Sequence, residues 1–267
     1  MKQYIGLLLI ILSLDSSAGN APLVYAPGGL DDRFGESGSD APFAIYDPNA
    51  PSSMRYQQVY AASLFATSVP GGGWINGISF RADDNTRHVW GGTLPDVEIA
   101  LSTTRGLPDA LSPVFANNLG QDNLVVFARG SVSVSMYSGS GPAGATTFFI
   151  KLQSPFFFDP AKGNLLLDVK NYTAVDLQNG GDVGPMLDAV DQVGDGVSRV
   201  FARDVKAATA ATADSLGLVS RFNFLAIAEP SQVSIVLLAN AGLLMIGLNR
   251  PKKSPLTQRP ALLRSLL

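Results

Sequence analysis

Apolar and polar residues alternate along the middle of the chain with a period of two. Val97, Ile99 and Leu101 alternate with Glu98, Ala100 and Ser102, and Val132, Val134 and Met136 with three serines. Phe148, Ile150 and Leu152 alternate with Thr147, Phe149 and Lys151. Leu165, Leu167 and Val169 alternate with Leu166, Asp168 and Lys170, and Phe222, Phe224 and Ala226 with Arg221, Asn223 and Leu225. Successive side chains of a strand point to opposite faces, so this pattern predicts strands with one face in a core. Shorter strands are predicted at residues 61–68, 74–81, 124–128 and 197–203. Turn-forming runs separate them: Gly71-Gly72-Gly73, Gly91-Gly92, Gly139-Ser140-Gly141-Pro142 and Asn179-Gly180-Gly181. No long amphipathic helical pattern interrupts the series, and there is no internal repeat. The alanine-rich residues 207–213 predict one short helical turn or a linker. Many short strands joined by such turns predict an all-β fold over residues 54–228, an antiparallel β-sandwich of jelly-roll type. Residues 19–53 are rich in Gly, Pro, Asp and Ser and predict an extended, flexible lead-in.

The two ends break the pattern. Lys2 precedes the apolar run Ile5-Gly6-Leu7-Leu8-Leu9-Ile10-Ile11-Leu12, and Ser16-Ser17-Ala18 follows. A basic residue, a short apolar run and small residues in that order predict a signal peptide over residues 1–18, cleaved after Ala18. Cleavage after Ala21 is less favoured because Pro22 would follow. Near the other end, Glu229-Pro230-Ser231 leads into an uncharged stretch from Val233 to Leu248, and Arg250, Lys252 and Lys253 follow. A helix apolar on nearly all faces belongs in a deep core or in a bilayer. At 1.5 Å per residue this one reaches about 24 Å, a little short of a hydrocarbon core of about 30 Å. Snorkelling lysine and arginine stems cover the difference. The stretch predicts one C-terminal transmembrane helix, and the basic cluster predicts a cytoplasmic membrane stop.

Glu229-Pro230-Ser231, the apolar helix and the basic cluster together resemble the tripartite PEP-CTERM sorting signal over residues 229–253. Bacteria that make extracellular polysaccharide use such signals. The resemblance implies processing by an exosortase-type membrane enzyme near Glu229-Pro230, after export by the secretion machinery. Two departures stand out: Ala228 occupies the place of the usual first proline, and a basic extension, residues 254–267, follows the cluster. The body is also similar to β-rich ectodomains of other PEP-CTERM proteins. The similarity rests on residues 55–65, 74–80, Ile99-Ala100-Leu101-Ser102-Thr103-Thr104 and Gly163-Asn164-Leu165-Leu166-Leu167-Asp168-Val169. It implies location and fold, and no activity.

Composition narrows the chemistry. Charged residues make up 15% of the chain against about 25% in an average one, so the fold rests on apolar burial and turns. There is no cysteine, which excludes disulfides, zinc thiolates and a catalytic thiol. Residues 19–230 carry 21 acidic and 13 basic side chains. That acidic body is unsuited to nucleic acid, which demands a basic surface.

Candidate chemistry is thin. His88, the sole histidine, sits in Asp83-Asp84-Asn85-Thr86-Arg87-His88, a predicted loop. A Ser-His-Asp triad would need it, but no Gly-x-Ser-x-Gly elbow supplies a nucleophile. Glycosidases pair two carboxylates about 5–10 Å apart; Asp96 and Glu98 share a strand face, and Asp83 and Asp84 share a loop. Asp182, Asp188, Asp191 and Asp195 crowd a Gly-rich stretch. That arrangement offers a weak calcium site without EF-hand spacing. Trp74, Trp90, Tyr56 and Tyr60 offer a sugar-stacking platform, but aromatic residues in strands more often pack in a core; Trp74 is predicted core, while Trp90, beside Gly91-Gly92, is the better candidate for exposure. No phosphate-loop or dinucleotide glycine pattern is present. The expectation is an exported, non-enzymatic surface or matrix protein without a cofactor. Its alternatives are a carbohydrate-binding sandwich engaging extracellular polysaccharide and a secreted hydrolase.

Overall fold

The period-two segments fold into antiparallel sheets. The structure, a computed structural model, describes residues 21–43, 53–83, 90–136, 147–173, 176–177 and 186–226. The signal peptide with Ala18, the sorting residues Glu229, Pro230 and Ser231, the apolar stretch, the basic residues Arg250, Lys252 and Lys253, and Asp84, His88 and Asp182 all lie outside the described residues. Among the described residues no helix is long and apolar enough to cross a membrane.

In chain order the elements begin with β1 (Leu23–Ala26), β2 (Ser37–Ser39), β3 (Met54–Tyr60), the short helix α1 (Ser63–Ala66), β4 (Gly73–Arg81) and β5 (Trp90–Thr104). Then come β6 (Leu124–Met136), β7 (Thr147–Phe158), β8 (Asn164–Asn171), β9 (Asp176–Leu177) and β10 (Leu187–Asp191). The last are β11 (Val197–Ala202), β12 (Thr212–Asp214), β13 (Leu216–Leu218) and β14 (Ser220–Phe224). One sheet runs β1-β14-β4-β7. A second runs β12-β11-β3-β8-β5-β6, with β9 also on β5. A small third sheet runs β13-β10-β2.

The four- and seven-stranded sheets bury one continuous core between them. Ile75, Ile78, Phe80, Ile150, Phe222 and Phe224 come from the first, and Met54, Tyr56, Tyr60, Ile99, Leu101 and Leu167 from the second. Tyr60 spans the layers: its ring meets Phe222 edge-on at 4.9 Å, and its hydroxyl lies 2.8 Å from the Ser220 hydroxyl. Gln58 stitches in the third sheet. Its amide nitrogen donates to the Leu218 carbonyl (3.1 Å), and its carbonyl accepts from the Leu218 N–H (2.9 Å).

The outer face of the seven-stranded sheet is covered in part by residues 105–123. Gln57 donates to the Phe115 carbonyl (3.2 Å), and Asn118 donates to Gln57 (2.9 Å). Phe115, Val200 and Ala202 form a second apolar cluster there, with Leu111, Ala207 and Ala210 against it.

The structure differs from the sequence expectations in four places. Residues 61–68 hold α1 instead of a strand. There the chain turns out of β3 at Ala61-Ala62, where the Ala61 N–H is held by the Gly196 carbonyl and the Ala62 N–H by the Asn164 side chain. The two short strands expected at 124–128 and 132–136 are one strand, β6, kept continuous by register shifts against β5. Residues 207–213 pack Ala207 and Ala210 under Phe115 and enter β12, so they form neither a helical turn nor a free linker. Residues 21–43 are built into the sandwich: β1 pairs with β14, β2 pairs with β10, and Ala41 and Phe43 are buried.

That last segment is held by a buried ion pair. Arg81, at the end of β4, and Asp188, in β10, are each 1% exposed and 2.6 Å apart. Arg81 also donates to the carbonyls of Leu30 (2.6 Å) and Arg33 (2.8 Å) and stacks on the Phe34 ring. Asp188 accepts from the Gly35 N–H at 2.9 Å. Burial pushes the Asp188 carboxyl up to about 6 against the pull of Arg81, which leaves it ionised at neutral pH.

Candidate functional site

Of the two predicted carboxylate pairs, Asp96–Glu98 does not form an open acid pair, and Asp84 of the other lies outside the described residues. Asp96 and Glu98 do share the outer face of β5, but each has its own cation. Arg129 grips Asp96 with two N–H groups at 2.7 and 2.5 Å and lies 3.8 Å over the Tyr172 ring. Those hydrogen bonds hold the Asp96 carboxyl below its usual range. Lys170 takes Glu98 at 2.7 Å. With Arg55 on Asp168 at 3.0 Å, this face is a cross-strand ladder of matched charges. Asp83 is buried just after β4, its N–H donating to the Met186 carbonyl at 3.0 Å.

The three described aspartates of the Gly-rich stretch part company. Asp188 turns inward to Arg81. Asp191 accepts from the Ser215 hydroxyl at 2.7 Å, and its N–H donates to Glu36. Asp195 accepts from the Val197 N–H at 2.8 Å, while its other oxygen is buried without a partner in the protein. Among the described residues no three acidic or histidine side chains converge as metal ligands. Nearby, a cleft of about 200 Å³ opens beside Asp109, Ser198 and Val200. Its cation, Arg199, is held by Asp214 (2.8 and 3.2 Å) and by Ser39.

Burial, then the neighbouring Asp109, Glu36 and Asp191, push the Asp195 carboxyl from 3.8 up to about 6. The native state therefore holds that proton more tightly than the unfolded chain does. The associated stability is present at acid pH and is lost as pH rises through about 6. Asp195→Asn keeps the acceptor for Val197 and removes the charge. We expect it to be more stable than wild type at pH 7 by on the order of 1 kcal/mol after allowance for solvent screening, or roughly 2–4 °C. The gain should vanish by about pH 4, and thermal melting across that range checks it.

The aromatic residues sort differently from expectation. Tyr56 and Tyr60 are fully buried core, as strand aromatics usually are. Trp90 lies in β5 opposite Met136. Trp74, predicted core, is 47% exposed on the outer face of the four-stranded sheet. The cause is a β-bulge between Ile75 and Gly77, which turns Ile75 inward and leaves Trp74 and Asn76 outward.

That outer face is the most unusual surface among the described residues. Three rows of side chains cross it. Trp74 pairs with Phe157, and their rings meet at 5.3 Å and 64°. Leu23, Asn223, Gly77 and Lys151 form the next row, and Tyr25, Arg221, Ser79 and Phe149 the third. Phe149 and Phe157 are 47% and 40% exposed. The Phe149 ring lies across Gly77, where an added Cβ would sit 2.1 Å from it, so glycine is what lets the ring lie down on the strand. Arg221 donates to the Ser79 hydroxyl (3.1 Å) and faces the Tyr25 ring at 6.0 Å. Three buried polar atoms of this face, Asn76 Oδ1, Asn223 Oδ1 and Arg221 Nε, have no partner within the protein.

The two outer faces thus contrast. One pairs its carboxylates with cations, leaving Arg55 Nε and Asp168 Oδ1 without a partner within the protein, and lies partly under a loop. The other presents exposed rings around unpaired hydrogen-bonding groups. The periodicity of β4 hid this face because the bulge reverses which of its residues point out. No family model matches the chain, and no curated protein matches it.

Proposed function

We propose that this chain is an exported, non-catalytic bacterial surface or matrix protein, sorted through its C-terminal segment. The observation that carries the reading is the pairing of terminal patterns. A leader-like run ending at Ala18 stands before the acidic, cysteine-free β domain, and Glu229-Pro230-Ser231, an apolar stretch and Arg250, Lys252 and Lys253 stand after it. In this reading the secretion machinery exports the chain, the apolar stretch holds it in the membrane as a single helix, and an exosortase-type enzyme releases it to the cell surface or matrix. The sandwich, taken in its finer form as a jelly roll, is the part displayed outside the cell.

The outer face of the seven-stranded sheet supports a display role over a hydrolytic one. Asp96 and Glu98, the leading candidate acids, are each tied to a neighbouring cation, and the Arg129 hydrogen bonds hold the Asp96 carboxyl below its usual range, which unsuits it as a proton donor. The carbohydrate-binding alternative draws its support from the exposed rings of Trp74, Phe149 and Phe157.

Intact mass of the mature protein from its native host tests the sorting. Wild type should lack residues 1–18 and the tail after about Pro230. A combined Glu229→Ala, Pro230→Ala variant should retain the tail. An uncut tail in both proteins overturns the sorting assignment and makes the segment an ordinary anchor.

A further inference from the structure

We propose that the outer face of the four-stranded sheet binds an acidic polysaccharide chain. The site lies on β1, β14, β4 and β7, rests on the chemistry of that face alone, and stands whether or not the tail is cleaved.

A sugar ring has an apolar C–H face and a rim of hydroxyls. A surface that recognises it therefore needs exposed aromatic rings with hydrogen-bonding groups set between them. This face has both. Trp74, Phe157 and Phe149 supply the rings. The side-chain carbonyls of Asn76 and Asn223 and the Arg221 Nε–H supply two acceptors and a donor with no partner in the protein. These atoms are covered in the free protein, so a ligand reaches them as their side chains turn outward, and one bearing many hydroxyls then satisfies donors and acceptors alike. The Asn223 row lies between the Trp74–Phe157 pair and the Phe149 row, so a chain laid along β4 meets ring, polar group and ring in turn. The distance along β4 from Trp74 to Ser79 is about 16 Å at roughly 3.3 Å per residue, long enough for an oligomer rather than one sugar.

Charge selects the class of polysaccharide. The described side chains on this face include Arg221 and Lys151 and no carboxylate, although residues 19–230 as a whole are acidic. Neither cation makes an ion pair among the described residues. A polymer of uronic acids brings a carboxylate to them, and the guanidinium of Arg221 suits that group in particular. The same cations argue against a second copy on this face, since an isologous contact would bring the like-charged patches together. They argue equally against a purely apolar occupant, which would leave the two asparagine carbonyls unpaired.

The test is native affinity electrophoresis and titration calorimetry of the full chain in mild detergent. The probes are polygalacturonate and alginate as acidic chains and mixed-linkage β-glucan as a neutral one. We expect both acidic polymers to retard the protein, less so at high salt, and the neutral glucan to do so at least tenfold more weakly. Trp74→Ala should weaken acidic-chain binding about tenfold or more, and Lys151→Ala about threefold with a flatter salt dependence. Trp74 and Lys151 are exposed, so an unchanged melting temperature shows that each variant is folded. The proposal is overturned if neither acidic polymer binds, if folded Trp74→Ala binds them as wild type does, or if the neutral glucan binds equally well. It is also overturned if sedimentation shows a dimer that Trp74→Ala dissociates, since the face would then belong to a second copy.

Discussion

Replacing Arg81 with methionine should lower stability at neutral pH by about 3–5 kcal/mol, because it strands the Asp188 carboxylate in the interior. For a domain of this size that corresponds to a fall in melting temperature on the order of 10 °C. The guanidinium is buried and engages Asp188, the Leu30 carbonyl and the Arg33 carbonyl, three contacts that the methionine side chain does not make. The deficit should shrink toward pH 5. Asp188 already has a carboxyl raised by burial, and without Arg81 it takes up a proton still more readily, which removes the buried charge. The combined variant Arg81→Met, Asp188→Leu should recover most of the loss, since two apolar side chains of similar size replace the pair without leaving a charge behind. Denaturant unfolding of the three proteins at pH 7 and pH 5 checks all of this. Amide hydrogen exchange should report the loosening first in residues 28–39, whose backbone the pair holds.

The same ion pair explains why residues 19–53 read as flexible. Their composition of Gly, Pro, Asp and Ser has too little apolar content to predict burial. What orders residues 28–39 is an arginine about fifty positions later and an aspartate more than a hundred positions beyond that. Local composition carries no trace of so distant a partner. The interior strands were legible for the opposite reason. In β8, in β14 and in β5 from Val97 to Leu101 a period of two persists, and Leu165, Leu167, Val169, Ile99, Leu101, Phe222 and Phe224 all lie in the core as that period requires. The pattern misleads where the pleat is broken. In β4, strict alternation groups Trp74 with Ile78 and Phe80, but between Ile75 and Gly77 β4 carries one residue more than β14 does, and this reverses the face of everything before it. The open aromatic face was therefore hidden by a single irregularity. The glycine at position 77 was its one signal in the sequence, because a glycine within a strand marks a bulge or a close approach. The carboxylates of Asp96 and Glu98 were placed correctly on one face. Their pairing with Arg129 and Lys170 depends on which strands flank β5, and a single sequence does not disclose that.

Phe65→Ala should cost about 3–5 kcal/mol. Phe65 is the buried residue of α1, the one-turn helix that closes the end of the sandwich. Its ring meets Phe158 at 5.0 Å, Phe222 at 5.4 Å and Phe224 at 6.4 Å, all near edge-on. Those three residues come from β7 and β14, so the ring reaches the four-stranded sheet from a helix that continues directly out of β3 in the other sheet. Truncation removes the apolar contact and the edge-to-face attractions together, the latter about 0.5–1.5 kcal/mol per pair. The surrounding rings are fixed to strands and collapse poorly into the space, which places the loss toward the upper part of the range. Phe65→Leu should cost less than half as much, because most of the volume is kept and the aromatic geometry alone is lost. Denaturant midpoints for the two variants separate volume from ring geometry. Equal losses would mean that edge-to-face contact, not filled space, joins the sheets at this end, whereas a small loss for alanine would mean that α1 is peripheral to the core.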